Sequence, residues 1–229
     1  MKDCPILPPT KVDLLEPLAN KINFCDKLFS EEILKCPEMT RLSIAPHERL
    51  RITIMIDAIV GVLFGMSEQD MRLILADCDY GDVAANSQNF NPKGFWRVDK
   101  ERPPEQRQTV LTLVAFHELE RLIEQTGDQE AGIKAFLALN DGEGWMLPEQ
   151  LRLADYGLGH DAEAEEFRPV ASAYGPRFYD WQLAQTPEEF RKECEIHAYN
   201  LNIGRGGDNV PEEEIPEAEK QEIVQPTLF

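Results

Sequence analysis

The strongest constraint on the fold is a long helical pattern that begins after Pro103 and Pro104 and stops at Gly127. Apolar residues recur there at spacings of three and four and form one wide stripe: Val110, Leu113, Val114, Phe116, Leu119 and Ile123. This spacing predicts an amphipathic helix whose stripe must be buried against other elements. Asp128 can cap a second helix that contains Ile133, so a tight antiparallel helical hairpin is expected.

Two more helices are predicted in the first half of the chain. Pro46 stands where a first-turn proline belongs, and apolar residues follow at helical spacing over 47–64. Ser67 and Asp70 then form a capping-box-like start for a helix that ends near Asp77. Shorter or later helices are expected over 12–22, 30–35, 149–155 and 187–201.

These patterns predict a mainly α fold, an irregular helical domain over 11–207 with long connecting loops. Residues 1–10 contain three prolines and are expected to form an extended lead-in. Residues 79–102 are rich in Gly, Asn and Asp; they predict a long connection or an irregular hairpin, and they offer a sub-boundary. Residues 208–229 combine seven acidic residues, one lysine and three prolines, which predicts a disordered, flexible acidic tail.

Charge limits the partners of this chain. Acidic residues outnumber basic ones by 42 to 23, and the formal net charge is −19. The tail carries −6 of this charge and the rest of the chain carries −13. Because such a charge repels polyanions, no unaided tight binding to nucleic acid or to an anionic membrane is expected. Contact with DNA is therefore expected only within a larger, more basic complex.

Cysteine usage and hydropathy favour a cytoplasmic protein. The five cysteines are widely spaced and include no CxxC pair, which favours a reducing compartment over a disulfide framework or a zinc knuckle. Charged residues stand near the N-terminus where a signal peptide would need an apolar run. The longest apolar stretch, residues 54–66, contains Asp57 and is too short to span a bilayer, so no membrane partner is expected.

The sequence contains no recognised catalytic motif, and no metal site is predicted. His117 and Glu118 lie on the long helix, but a zinc metalloprotease would need a second histidine where Arg121 stands. None of the ten lysines has an acidic residue two positions before it, which disfavours PD-(D/E)xK nuclease chemistry. The GxSxG elbow of serine hydrolases is also missing.

One stretch of this acidic chain, 91–109, combines basic and aromatic residues. Its five cations outweigh three acidic residues by two charges. With Trp96, these cations are the candidate DNA contacts: Lys93, Arg97, Lys100, Arg102 and Arg107. Such a loop can position a phosphate backbone without reading its sequence. Alternatively, Phe95 and Trp96 anchor the connection in the core while the charges pair locally. The residues leave both interpretations open.

Four segments together resemble a known family. Segment 49–75 has an arginine-led helix, an Asp-Ala pair, the turn LFGMSE and a helix with Ile-Leu near its end. It resembles a block of the large N6-adenine DNA methyltransferases of bacterial phage-defence and restriction systems, of the DISARM or BREX kind. Segments 93–119, 144–160 and 174–200 are similar to the non-catalytic C-terminal region of the same enzymes. The resemblance spans roughly residues 12–203.

The family's catalytic motifs are missing from this chain. Methyl transfer needs an (N/D/S)PP(Y/F/W) motif to hold the flipped adenine, whereas the chain has only LPPT at 7–10, RPPE at 102–105 and NPKG at 91–94. The glycine-rich motif for S-adenosylmethionine is also missing. The resemblance therefore implies a non-catalytic accessory or split C-terminal subunit. It also implies a partner chain that carries the methyl-transfer domain and binds S-adenosylmethionine, and no catalytic residue is carried over.

The last five residues, QPTLF, resemble the peptide by which bacterial proteins dock onto the DNA-polymerase sliding clamp. Gln225 would fix the register, and Leu228 and Phe229 would fill an apolar pocket. The acidic segment before them would act as a tether. Here Pro226 stands where leucine is commoner, so docking on the clamp is an expectation of the motif alone.

Two other functions are compatible with the sequence. An acidic helical protein can present carboxylates in place of DNA phosphates and so inhibit a nucleic-acid-binding enzyme, although no regular carboxylate spacing is visible. The chain can also be an inactive gene remnant that still folds. Stimulation of methylation favours the subunit, whereas competition for a DNA site favours the mimic.

Overall fold

A computed structural model describes residues 13–79, 99, 101–153 and 165–204 of the 229-residue chain. Eight α-helices dominate this part and confirm the mainly α prediction: α1 Glu16–Asn23, α2 Ser30–Leu34, α3 Pro46–Leu63, α4 Glu68–Asp79, α5 Gln108–Thr126, α6 Gln129–Gly142, α7 Asp180–Ala184 and α8 Pro187–Gly204. Three 3₁₀ turns and two short strands complete it: Lys27–Phe29, Pro104–Gln106, Ala171–Tyr174, β1 Gln150–Leu151 and β2 Arg168–Pro169. The predicted lead-in and acidic tail lie outside these residues.

The predicted helical hairpin is formed by α5 and α6. Gly127 ends α5 in the left-handed conformation, at φ 68°, and its N–H donates to the Ile123 carbonyl. The Asp128 side chain then caps α6 by accepting a hydrogen bond of 2.8 Å from the Ala131 N–H. A Cβ atom at Gly132 would lie 2.7 Å from the Ile123 Cα, so glycine is what lets the two helices approach this closely.

The main core lies where α3 crosses α5. Helix α5 also packs against α4 and α6, and α1 packs against α3. Several core side chains are fully buried: Ile52, Ile59, Phe116, Leu119 and Phe136. Burial of each such side chain contributes about 1.5–3 kcal/mol, which is why these helices assemble.

A second, smaller core joins the two ends of the described chain. Residues from α2 and the loop after it pack on α8: Ile33, Cys36, Met39, Leu42, Phe190 and Cys194. The three cysteines with described side chains are free. Burial raises the pKa of both the Cys36 and the Cys194 thiol, so they remain protonated and serve as apolar packing groups.

The helix predicted over 149–155 is wrong. Residues Gln150–Leu151 form β1, which pairs antiparallel with β2, Arg168–Pro169. The Val170 N–H also donates to the Glu149 carbonyl at 2.9 Å, so this backbone is satisfied by a partner distant in sequence. Leu151 and Leu153 are both buried two positions apart, which is the spacing of a strand.

Within the described ranges, none of the helices has both the length and the apolarity needed to cross a membrane. The same residues contain no group of three or more His, Cys, Asp and Glu side chains placed to hold a metal ion.

Candidate functional site

The most unusual site is a buried ion pair at the start of α3. Arg51 is 0% exposed and Glu48 is 1% exposed. The two residues are three positions apart, so their side chains lie next to each other on one face of the helix. The Arg51 Nε donates to Glu48 Oε2 at 2.9 Å, and its Nη2 donates to Oε1 at 2.6 Å. This bidentate geometry is the strongest form of such a pair.

Arg51 also holds the loop that follows α6. Its Nη1 donates to the carbonyls of Glu143 and Trp145 at 2.7 and 2.8 Å. The loop reaches this position because Asn140 and Asp141 at the end of α6 adopt left-handed conformations, with φ of 53° and 61°. One guanidinium group therefore joins α3 to the end of the α5–α6 hairpin.

Arg177 contacts the same carboxylate from the other end of the chain. Its Nε donates to Glu48 Oε2 at 2.7 Å, and its Nη2 donates to Glu143 Oε2 at 2.9 Å. Burial raises the pKa of Glu48, but the hydrogen bonds and charges of Arg51 and Arg177 outweigh this and lower it from 4.5 to about 2. Glu48 is therefore ionised at neutral pH and serves as the shared anion of two arginines. We call these residues, Glu48, Arg51, Glu143 and Arg177, the arginine–glutamate cluster.

His47 and Tyr174 extend the contacts between α3 and the segment before α7. The His47 Nδ1 lies 2.7 Å from the Gly175 carbonyl, to which it donates. The His47 and Tyr174 rings meet edge to face, with centroids 6.4 Å apart. The Tyr174 hydroxyl donates to the carbonyl of Gln106, just before α5. These contacts hold the 174–178 segment against both central helices.

Two of the candidate DNA-contact residues are used inside the protein. The Arg102 guanidinium lies over the Tyr174 ring, 4.2 Å from its centroid. The Arg107 Nε donates to the Arg102 carbonyl at 2.8 Å. Both side chains are half-buried. This agrees with local pairing of those two charges, and their contact with DNA stays a prediction.

The other candidate site residues lie outside the described residues. These are Lys93, Trp96, Arg97 and Lys100 of the basic stretch, and Gln225, Leu228 and Phe229 of the terminal peptide. Their roles in DNA contact and in docking on the sliding clamp remain predictions.

Glu105, which the sequence places among the charges of the basic stretch, is buried. It is 1% exposed, and neither carboxylate oxygen accepts a hydrogen bond from a residue that the structure describes. The Arg168 Nε lies 3.2 Å from Oε1, so its charge offsets that of the buried carboxylate. Arg168 belongs to β2, so this ion pair fixes the two-stranded ribbon beside the start of α5.

The chemistry of the arginine–glutamate cluster is that of a structural link. Both oxygens of Glu48 accept hydrogen bonds from guanidinium groups, so this carboxylate is fully engaged. These residues are not among the candidate site residues predicted from the sequence. A signal existed, however, because Glu48, Arg51 and Met55 follow one another at spacings of three and four and share one helix face.

Gly144 offers a test of this link. Its φ of +83° strains any other residue, and a Cβ atom there would overlap the Met55 methyl group. We expect Gly144→Ala to lower the free energy of unfolding by about 2–3 kcal/mol, from backbone strain plus displacement of Met55. The urea unfolding midpoint measures this.

Gly142→Ala is the matched control for Gly144→Ala. Gly142 has nearly the same φ, +88°, but a Cβ atom there would meet no atom of the described residues within 4 Å. Backbone strain alone then gives a loss of about 1 kcal/mol. Equal losses for the two variants would show that the close approach to Met55 contributes nothing.

Comparison of the chain with protein-family models, curated proteins and solved structures gives no match.

Proposed function

We propose that this chain is a non-catalytic accessory or split C-terminal subunit of a DNA adenine-methylation system of the restriction or phage-defence type. It assembles with a chain that carries the methyl-transfer domain and S-adenosylmethionine. Its role is in assembly or in positioning DNA within that complex. The sliding clamp is a further partner through Gln225, Leu228 and Phe229.

The observation that carries the proposal is that the four family-like segments contact one another. Arg51 of segment 49–75 binds the Trp145 carbonyl of segment 144–160. Through Glu48, next to the first segment, it is joined to Arg177 of segment 174–200. Arg102 of segment 93–119 stacks on Tyr174 of that last segment. The four family-like segments therefore belong to one packed unit. This is expected for a subunit that retains the fold of the C-terminal region of such an enzyme.

Charge supports the need for a partner. At −19 the chain repels DNA, and both described cations of the basic stretch make internal contacts. A catalytic chain with basic surface would offset this repulsion, because the affinity for DNA follows the number of phosphates that the assembled complex neutralises.

Methylation measured with and without this chain tests the proposal. If an adenine methyltransferase is encoded beside the gene for this chain, as the proposal requires, that enzyme is co-expressed with a tagged copy of the chain, purified and assayed on DNA. We expect a stable complex and methylation several-fold above that of the catalytic chain alone. Inhibition that added DNA relieves would instead indicate the acidic DNA mimic. The loss of both binding and any effect on methylation would indicate the inactive remnant.

The DNA contacts of the assembled complex are tested with Arg97→Ala/Lys100→Ala. Arg102 and Arg107 are left unchanged because their substitution would also disturb internal contacts. We expect weaker DNA binding and a salt dependence, log K against log salt concentration, that is flatter by about 2. Titrations at four salt concentrations measure both.

A charge-matched control is Arg72→Ala/Lys134→Ala. It removes two cations that lie outside the basic stretch, are 43% and 63% exposed, and pair with glutamates on their own helices. Its salt slope should equal that of the unchanged complex. If both double variants flatten the slope equally, net charge alone is responsible and the positioning role of the basic stretch is refuted.

A further inference from the structure

The short helical turn that precedes α5 is joined to the rest of the chain by two extended residues. This turn, Pro104–Gln106, lies between Pro103 and Arg107, whose ψ angles are 147° and 140°. Extended residues at the ends of an element are places where a hinge absorbs a change in backbone angle. The 104–106 turn can therefore leave its neighbours without unwinding α5.

The 104–106 turn buries a carboxylate that gains little from its burial. Glu105 is 1% exposed, and neither of its oxygens accepts a hydrogen bond from a residue that the structure describes. Arg168, 3.2 Å away, offsets its charge, but the Arg168 side chain is 44% exposed and stays hydrated with or without Glu105. A buried carboxylate has lost its hydration, and one ion pair often fails to compensate that loss. Undocking returns Glu105 to water, so its burial lowers the free energy needed to open the turn.

Two neutral hydrogen bonds hold the 104–106 turn against its neighbours. The Tyr174 hydroxyl donates to the Gln106 carbonyl, and the Gln106 Nε2 donates to the Pro169 carbonyl at 3.1 Å. Bonds between neutral groups are readily exchanged for bonds to water, and the second of these lies at the surface. The docked position of the turn is therefore only weakly stabilised by these two bonds.

The docked turn also keeps Arg102 on an aromatic ring. The Arg102 guanidinium lies 4.2 Å from the centroid of the Tyr174 ring, and the Tyr174 hydroxyl is bonded to the turn through Gln106. Arg102 is one of the cations that the sequence predicts to contact DNA, and in this arrangement the ring covers its face. Charge-assisted hydrogen bonds to a phosphate are stronger than a half-exposed cation–π contact. A phosphate can therefore take Arg102 from Tyr174 once the turn moves.

We propose that the docked 104–106 turn is an autoinhibitory contact. In the free chain it holds Arg102 against Tyr174. In the assembled complex it opens about Pro103 and Arg107, and Arg102 pairs with a DNA phosphate. This inference rests on the function proposed above and assigns the low free energy of opening to Glu105. The complex then presents one more cation to DNA than the free chain does.

Hydrogen exchange of the full chain tests whether the turn opens. A single 3₁₀ turn is unstable by itself, so the Gln106 and Arg107 N–H groups, which are bonded within it, exchange when it undocks. We expect Glu105→Met to slow their exchange at least about tenfold, because an apolar residue replaces a buried charge. Tyr174→Phe removes the hydroxyl donor but keeps the ring, and it should speed their exchange. Glu195→Met, at an exposed glutamate of α8, changes the net charge equally and should leave the rates unchanged.

DNA binding by the assembled complex tests the transfer of Arg102. Since Glu105→Met keeps the turn docked, its complex should bind DNA several-fold more weakly than the Glu195→Met complex. The slope of log K against log salt concentration should be flatter by about 1, as for the loss of one phosphate contact. Both variants remove one negative charge, so the effect of net charge cancels in this comparison.

The two measurements separate this inference from the function on which it rests. Unchanged or faster exchange in Glu105→Met overturns the autoinhibitory contact. Slower exchange with DNA binding equal to that of Glu195→Met overturns the transfer of Arg102. A chain that forms no complex with a methyltransferase overturns the proposed function and this transfer, while the exchange rates still decide whether the turn opens. Slower exchange together with weaker DNA binding and a flatter slope supports the inference.

Discussion

Replacement of Arg51 by methionine is expected to lower the free energy of unfolding by about 3–5 kcal/mol, as for removal of one partner from a buried ion pair. Methionine retains an unbranched apolar side chain of similar length, so the cavity term is small. Among the described residues, Glu48 then keeps its contact with Arg177 alone, and the buried carbonyl of Trp145 loses its Arg51 donor. A buried acceptor without a donor has lost its hydrogen bonds to water and has no replacement for them, which destabilises the folded state. Urea unfolding measures the change.

The exposed Glu118–Arg121 pair is a matched control for Arg51. It has the same spacing on a helix and the same bidentate geometry, with Nε to Oε2 again at 2.9 Å. The Arg121 side chain, however, is 49% exposed. Arg121→Met should therefore change the free energy of unfolding far less than Arg51→Met does. Similar losses for the two variants would contradict the role assigned to burial.

The helices with strong local signals could be predicted from the sequence. Helix α3 was expected over 47–64 and spans Pro46–Leu63, because a first-turn proline and one apolar pattern mark it. The capping box between Ser67 and Asp70 is present as expected, with the Ser67 N–H donating to Asp70 Oδ2 at 2.9 Å. Such features depend on residues within one or two helical turns of each other, so the local sequence is sufficient to predict them.

The strand β1 was missed because its stability is not local. Pro148 and the following polar residues match a helix start as well as a strand start. Residues 150–151 form a strand rather than a helix because their backbone pairs with that of Arg168–Pro169, about 18 positions later. The alternation of Leu151 and Leu153 was the only local indication of a strand, and it is too short to decide.

The arginine–glutamate cluster could not be predicted for the same reason. Arg51 contacts a carbonyl 94 residues later, and Glu48 contacts Arg177 across 129 residues. A charged residue on a helix is usually solvated, so Glu48 and Arg51 alone indicate a surface. Only the packing of α3, the loop after α6 and the segment before α7 shows that these charges are buried and shared.

Acidification should remove much of the stability that Glu48 supplies. Its pKa is about 2 in the folded protein and 4.5 when exposed. Because the folded pKa is the lower one, its contribution is complete above pH 4.5 and is lost as the pH falls towards 2. The shift corresponds to about 3 kcal/mol at pH 7, of which about 2 kcal/mol is lost by pH 3.

Comparison with Glu48→Gln isolates this contribution, since the other carboxyl groups titrate in both proteins and cancel in the difference. At pH 7 the variant should be less stable by about 3 kcal/mol, because an amide cannot neutralise Arg51 and Arg177. The gap should narrow below pH 5, as Glu48 becomes protonated in the unfolded chain. Glu118→Gln, at the exposed pair, should show a small difference that hardly changes with pH. If the difference in the free energy of unfolding between the parent chain and Glu48→Gln stays constant from pH 7 to pH 3, Glu48 acts by its shape rather than by its charge. The ionised carboxylate would then not be the group that joins Arg177 to the start of α3.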